Sequence, residues 1–209
     1  MNKNITWQKP CISGFDRLKK FGRQPTTIWL TGLSGSGKST IAQKVSKLLH
    51  QRNINEFILD GDNIRHGLCS DLNFSTSDRK ENVRRISETA KILNEAGVSV
   101  LCPVISPYAD HRYMAKKIIG NNKFIEVYCD CDLKTCEKRD PKGLYKLARQ
   151  GKIKDFTGIS SPYDPPTSPN LHIDTAQLSA DESAVIILQC ILNQEDKIHN
   201  IWNRHDNRN

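Results

Sequence analysis

Apolar residues along this chain switch between a period of two and a period near 3.6, and each switch marks a new element. Thr27–Leu30 is a short β-branched and aromatic run that reads as a strand; glycines follow at once, then a helical pattern over Lys38–His50. Glu56–Asp60 reads as a second strand, Asn63–Leu68 as a short helix and Cys69–Ser77 as a loop. Asp78 with Glu81 three residues on has the form of a capping box, so a helix is expected to open there. Val83, Ile86, Ala90 and Leu93 form its apolar stripe, and Gly97 stands where a glycine would stop it. Val98–Ile105 is a third strand with little polar alternation, the pattern of a strand covered on both faces. Tyr108–Ile119 reads as a helix, Lys123–Cys129 as a fourth strand and Leu133–Arg139 as another helix. Residues 140–169 are rich in Gly, Pro and Lys and show no clear period. A final helix is expected at about Ala180–Asn193, with a polar, frayed tail after Gln194.

Strands alternating with helices predict an α/β fold, a parallel sheet with helices on both faces and ligands at the carboxyl ends of its strands. The length of 209 residues suits one domain, over 26–194, between a polar basic arm (1–25) and a polar tail (195–209). The longest apolar runs, Val98–Ile105 and Ala184–Leu192, fall well short of the roughly 18 residues of a membrane span. Met1–Arg23 has no continuous apolar stretch of the kind a secretory signal needs. The seven cysteines form no Cys-x-x-Cys pair, which fits a reducing compartment, so a soluble, unprocessed cytoplasmic protein is expected. Cys129-Asp130-Cys131 matches no zinc spacing and reads as the end of a strand.

The net charge of +8 changes this picture only in part. It gathers in Lys3–Arg23 and in Lys142, Lys146, Arg149, Lys152 and Lys154. Such blocks suit nucleic acid or small polyanions equally. The first carries no nucleic-acid motif and reads as a solvated arm or a dimer contact.

The chemistry begins at Gly32-Leu33-Ser34-Gly35-Ser36-Gly37-Lys38-Ser39, which fits G-x-x-x-x-G-K-[ST] without a mismatch, after a strand and before a helix. Gly32, Gly35 and Gly37 let the backbone turn its N–H groups inward around phosphate oxygens, and the helix N-terminus adds partial positive charge. Lys38 would reach the β- and γ-phosphates, and the Ser39 hydroxyl would join the shell of a Mg²⁺ ion; Gly32 through Thr40 are the expected ATP contacts. The expected fold is therefore that of the P-loop nucleoside-triphosphate hydrolases. A guanine-reading Asn-Lys-x-Asp is missing, since Asn121-Asn122-Lys123-Phe124 fails it, and Asp155-Phe156-Thr157-Gly158 follows no strand, so GTP is disfavoured.

Further motifs lie in order along the chain: Asp60-Gly61-Asp62-Asn63-Ile64-Arg65, Asp71 to Phe74, Asp78-Arg79 with Glu81-Asn82 and Arg84-Arg85, and Ile105-Ser106-Pro107-Tyr108. After them come Asp140 to Tyr145, Phe156-Thr157-Gly158-Ile159, Ser161-Pro162-Tyr163 and Asp174 to Leu178. From about Thr26 to Ile191 the chain resembles the adenylylsulfate kinase family of P-loop kinases. The resemblance implies transfer of the ATP γ-phosphoryl group to the 3′-hydroxyl of adenylyl sulfate, with Mg²⁺, in a homodimer, and it leaves association with an ATP sulfurylase open.

In that reading Asp62 orients or deprotonates the hydroxyl, and Asp60 touches the metal's waters or the substrate. Arg65, Arg79 and Asn82 grip the phosphosulfate, as planar guanidinium donors suit its oxygens. Phe74 and Phe156 sandwich the adenine. Ile105, Lys142, Gly143, Leu144 and Thr157 complete the acceptor site, and residues 140–169 form a lid that excludes water. Ser106 holds the family position described as a phosphoserine intermediate. No sequence neighbour would activate it and P-loop kinases transfer in line, so a positioning role is expected. Arg84 and Arg85 read as a solvated face.

Ala109 and His111 stand where the family tends to have Arg and Asp, which makes the surroundings of Ser106 less transferable than the rest. Two other readings stay open on the sequence: a kinase of the same fold acting on another small molecule such as a nucleoside monophosphate, and a nucleic-acid-binding ATPase using the basic arm.

Overall fold

The computed structural model describes residues 5–206, with side chains through residue 194. Among them, β1 (Thr27–Thr31), β2 (Glu56–Ile58), β3 (Ser99–Pro103), β4 (Phe124–Asp130) and β5 (Leu171–Asp174) form one sheet in the order β2-β3-β1-β4-β5. Every neighbouring pair is parallel, with Thr31 of β1 level with Tyr128 of β4. The helices are α1 (Gly14–Phe21), α2 (Lys38–His50), α3 (Gly61–Ile64), α4 (Thr76–Glu95), α5 (Ala109–Ile119), α6 (Leu133–Arg139), α7 (Leu144–Arg149) and α8 (Ala180–Asp206).

The central strand explains the layers. All five residues of β1 are buried, and alternation sends successive side chains to opposite faces. Ile28 and Leu30 join Ile41, Val45, Leu49, Ile187 and Ile191 of α2 and α8 in one core. Trp29 joins Val83, Ile86, Ala90, Ala115 and Ile119 of α4 and α5 in another. Each fully buried aliphatic side chain contributes about 1.5–3 kcal/mol by leaving water. A third, smaller core of Cys131, Cys136, Tyr145, Ala148 and Phe156 lies under residues 140–160, with Leu33 and Leu144 packed on it.

Several boundaries differ from the sequence reading. The helix opens three residues earlier than the expected capping box: Ser75 caps α4 and accepts from the Asp78 amide, which places Asp78 in the third helical position rather than at the cap. Its end is as expected, with Gly97 at φ +96° and Val98 N–H donating to Leu93 C=O in the six-to-one bond of a Schellman ending. The arm is not featureless. It holds α1, where Ser13 and Asp16 form a reciprocal capping box and the ring of Phe21 lies over Gly97. Strand β5 escaped the pattern because it is a four-residue edge strand with Ile173 alone buried. α7 is six residues long and opens on Gly143 in the left-handed region, without a side-chain cap. α8 continues past Asn193 to Asp206, because 194–206 contain no Gly or Pro and repeat Ile198, Ile201 and Trp202 at helical spacing. Of the expected tail only 207–209 lie outside the described residues, as do residues 1–4 of the arm.

Five of the seven cysteines, Cys69, Cys102, Cys129, Cys131 and Cys136, are buried. Burial pushes the Cys129 thiol up to about 12; Cys129 and Asp130 close β4, and Cys131 lies just beyond its end. No helix among the described residues is long and apolar enough to cross a membrane.

Candidate active site

The segment between β1 and α2 wraps tightly because side chains cannot fit inside it. A Cβ on Gly32, at φ +149°, would stand 2.5 Å from the Cys129 carbonyl oxygen and 2.8 Å from Ser36 Oγ. Gly37 enters α2 in the left-handed region at φ +90°, which a side chain would strain. Lys38 folds back over this loop, Nζ donating to the Leu33 carbonyl at 2.6 Å and lying 3.4 Å from Ser36 Oγ. Burial holds its pKa below that of a free lysine, as expected of an ammonium waiting for a counter-charge. Ser39 Oγ donates to Asp60 Oδ2 at 2.7 Å, while Asp60 Oδ1 caps α3 by accepting from the Asp62 amide at 2.9 Å. A hydroxyl beside a carboxylate is a hard-oxygen pair suited to Mg²⁺, which takes few protein oxygens beside phosphates and water. Thr40, the third residue of α2, lies exposed.

Across this floor stands a second group. Asp62 and Lys142 form an ion pair that joins α3 to the segment before α7. Arg65 donates to the carbonyls of Leu72 and Asn73 and lies 4.4 Å from the centre of the Phe74 ring. Arg79, buried on α4, donates from Nε to Phe74 O at 2.9 Å and from Nη2 to Asp155 O at 2.6 Å, so one guanidinium ties together the loops that carry Phe74 and Phe156. Desolvation lowers its pKa from a value so high that it stays charged. Asn82, one turn along α4, is 7% exposed and Thr157 is 2% exposed, yet Asn82 Nδ2 and Thr157 Oγ1 have no hydrogen-bond partner among the described residues. Buried polar atoms are rarely left so unless a ligand completes them. The two phenylalanines differ: Phe74 is 54% exposed, whereas Phe156 is 9% exposed and meets Tyr145 edge-on at 5.0 Å.

Ser106 is held rather than free. Its φ of +38° is a left-handed value unusual for a serine, and its buried hydroxyl accepts from Trp29 Nε1 at 3.0 Å and donates to Thr31 Oγ1 at 3.0 Å. Thr31 Oγ1 in turn donates to Ile105 O at 2.7 Å. Those side-chain partners are neutral, so neither would serve as a base for attack. Arg85 is likewise no solvated face: it forks onto Asp71 and also holds Glu81 and Leu68 O, fixing the loop after α3. Arg84 is half exposed and pairs with Glu81.

Two residues to which the sequence reading gave no role join the 139–145 segment to the phosphate loop. Tyr145 OH donates to Ser34 O at 2.9 Å, and Arg139 donates to Thr175 O at 2.6 Å and Gly35 O at 3.4 Å. Tyr145 lies inside a quoted motif, but Arg139 sits beside one and carries no local signal.

The parallel sheet and the loop at Gly32–Ser39 between β1 and α2 have the form of the P-loop kinases. The model of the adenylylsulphate kinase family matches residues 24–174, and the chain belongs to that family. An adenylyl-sulfate kinase of Geotalea daltonii is 53% identical over 173 residues, covering 83% of this chain and 85% of that protein. One of Marinobacter nauticus is 50% identical over 179 residues, covering 86% and 90%. The solved APS kinase of Mycobacterium tuberculosis in complex with AMPPNP and APS superposes with a TM-score of 0.78 at 48% identity, over 80% of this chain and 98% of that one.

Proposed function

We propose that the protein transfers the γ-phosphoryl group of ATP to the ribose 3′-hydroxyl of adenylyl sulfate, giving ADP and 3′-phosphoadenylyl sulfate. The observation that carries this reading is the pair of orphaned atoms, Asn82 Nδ2 and Thr157 Oγ1, on residues close in the chain to Arg79 and Asp155, which one hydrogen bond links. Lys38 leaves the Leu33 carbonyl for the β- and γ-phosphate oxygens, exchanging a neutral acceptor for a charged one in a site from which water is excluded. Ser39 and Asp60 would hold a Mg²⁺ ion, which when bound neutralises charge on the phosphates. Lys142 exchanges Asp62 for the anionic phosphosulfate, freeing the Asp62 carboxylate to accept the 3′-hydroxyl proton. The 3′-oxygen attacks the γ-phosphorus in line, the bond to the bridging oxygen breaks and ADP departs. Arg65 and Arg79 steady the acceptor anion, Phe74 and Phe156 its base, and Ser106 keeps the turn after β3 in place.

Two finer readings accompany this one. The exposed Ile5, Trp7, Ile12 and Phe15 are surface that a second copy of the chain would cover, so we read the enzyme as a homodimer, which sedimentation at the mass of one chain would refute. Its largely buried cysteines suit a cytoplasmic setting.

The deciding assay measures ADP release from Mg-ATP with adenylyl sulfate, AMP, shikimate or gluconate as acceptor, with Lys38→Ala and Asp62→Ala beside the wild type. Turnover with adenylyl sulfate alone, lost in both variants, is expected. Preference for another acceptor would overturn the assignment.

A further inference from the structure

A buried guanidinium is costly to desolvate unless its donors are used, so where they go reveals what it holds. Arg112 of α5 is 4% exposed, and its three donors reach three separate parts of the chain. Nε donates to Glu126 Oε1 on β4 at 3.0 Å, Nη1 to the Ser106 carbonyl at 2.9 Å, and Nη2 to the Asp164 carbonyl at 2.7 Å. The stitch is reinforced nearby. Asp164 N–H donates to Pro107 O at 2.8 Å, the Tyr163 ring lies 5.9 Å from the Arg112 guanidinium, and Tyr163 OH is 3.0 Å from Thr31 Oγ1, the group that fixes Ser106.

The segment held at Asp164 is the one that carries Phe156 and Thr157. Between them the chain makes a tight turn: the amides of Ile159, Ser160 and Ser161 all donate to Phe156 O, Ser160 Oγ accepts from Phe156 N–H, and Thr157 bridges to Ser161. Arg79 grips this turn on its entry side through Asp155 O, and Arg112 grips it on its exit side. Among the described residues, Arg112 makes no hydrogen bond to residues 32–40 of the phosphate loop.

We infer that Arg112 is a positioning residue for the acceptor pocket, setting Phe156 and Thr157 against the Ser106 turn without serving the ATP site. The inference rests on the adenylyl sulfate reading above. A lysine in its place keeps the charge but offers one compact ammonium, which cannot span three acceptors arranged for a planar fork.

Steady-state kinetics of Arg112→Lys, varying each substrate in turn, tests it. The KM for adenylyl sulfate is expected to rise about tenfold or more, as small misplacements of positioning groups do. The KM for Mg-ATP should stay within about twofold of wild type, and kcat at saturating acceptor should fall less than the KM rises. Parallel changes in both KM values, or an unchanged acceptor KM in a folded variant, would overturn the inference. Glu126→Gln covers the case in which Arg112→Lys does not fold: with the fork less firmly oriented, the acceptor KM should rise more modestly and alone, and equal shifts or none would count against the role. If the wild type itself fails to turn over adenylyl sulfate, the functional reading fails before the variants are compared.

Discussion

Thr157 poses the sharpest question for a single side chain, because its hydroxyl is buried without a partner in the free protein. An unmet hydroxyl lowers stability, so Thr157→Val, which keeps the shape and removes the polar atom, should leave stability unchanged or raise it by up to ~1 kcal/mol. If the hydroxyl waits for the acceptor, the same variant should raise the KM for adenylyl sulfate about tenfold, the worth of one hydrogen bond in a dry site. Denaturation and kinetics on one preparation check both; a loss of stability with normal KM would make Thr157 structural. At this scale the residues legible in the sequence are those whose role is local: Gly32–Ser39 curls around itself, and Asp60 caps the helix that carries Asp62. Arg112 stands near the Ser106 motif and Tyr163 inside a motif of its own, but what they and Arg139 hold could not be read from the sequence, because these partners lie 36 to 132 positions away and no spacing along the chain records such a meeting. Arg85 was misjudged for a related reason, since its partner Asp71 sits on a loop and only folding turns that helix face toward it.

The elements carry their own tests, and the first concerns how α1 docks. A Cβ on Gly97 would lie 2.6 Å from Phe21 Cε2, and the residue already sits at φ +96°. Gly97→Ala should therefore cost about 1–3 kcal/mol, from backbone strain and a displaced ring. Adding Phe21→Ala removes the clash but not the strain, so the double variant should lose less than the sum of the singles. Chemical denaturation of the four proteins checks this, and strict additivity would mean that α1 does not rest there. Within α4, the Arg84 and Arg85 guanidiniums draw Glu81 from its ordinary 4.5 down to about 2. A carboxylate whose pKa is lower in the folded state contributes stability above its unfolded pKa and loses it as pH falls from about 4.5 toward 2. The stability gap between wild type and Glu81→Gln should thus be constant near neutrality and shrink in acid. It should also shrink in salt, since the group is largely solvated. A gap that does not change with pH would refute the pairing. Long elements with a buried stripe, such as α2 and α4, were readable because many residues repeat one signal. β5 and α7 were not, since a few residues with one or two buried positions offer too little pattern, and both gain their shape from neighbours: β4 for β5, and the small core around Tyr145 for α7.

At the scale of the whole molecule, the proposed site divides into two halves with different supports. In that reading the phosphate half hangs on β1 and α2, while the acceptor half is gathered from α3, the start of α4, the turn after β3 and the proposed lid. Two hydrogen-bonded links, Tyr145 to Ser34 and Arg139 to Gly35, join the lid base to the phosphate loop, and the Asp62–Lys142 ion pair joins the lid to α3. This division predicts separable responses to ligands. A ligand that binds only the folded state at about 100 times its Kd adds ~2.7 kcal/mol, which for a chain of this size is a rise of roughly 5–10 °C in Tm. Mg-ADP and adenylyl sulfate should each raise the Tm of the wild type. In Lys38→Ala the shift with Mg-ADP should largely vanish, because the buried ammonium that meets the phosphates is gone, while the shift with adenylyl sulfate should persist on Arg65, Arg79 and Phe74. Arg79→Ala should show the reverse pattern, with the nucleotide shift kept and the acceptor shift lost. Thermal scans of the three proteins with each ligand separate the cases. If Lys38→Ala abolished both shifts, the two halves would form only as one unit, and the lid links rather than the strand ends would have to be what builds the acceptor pocket.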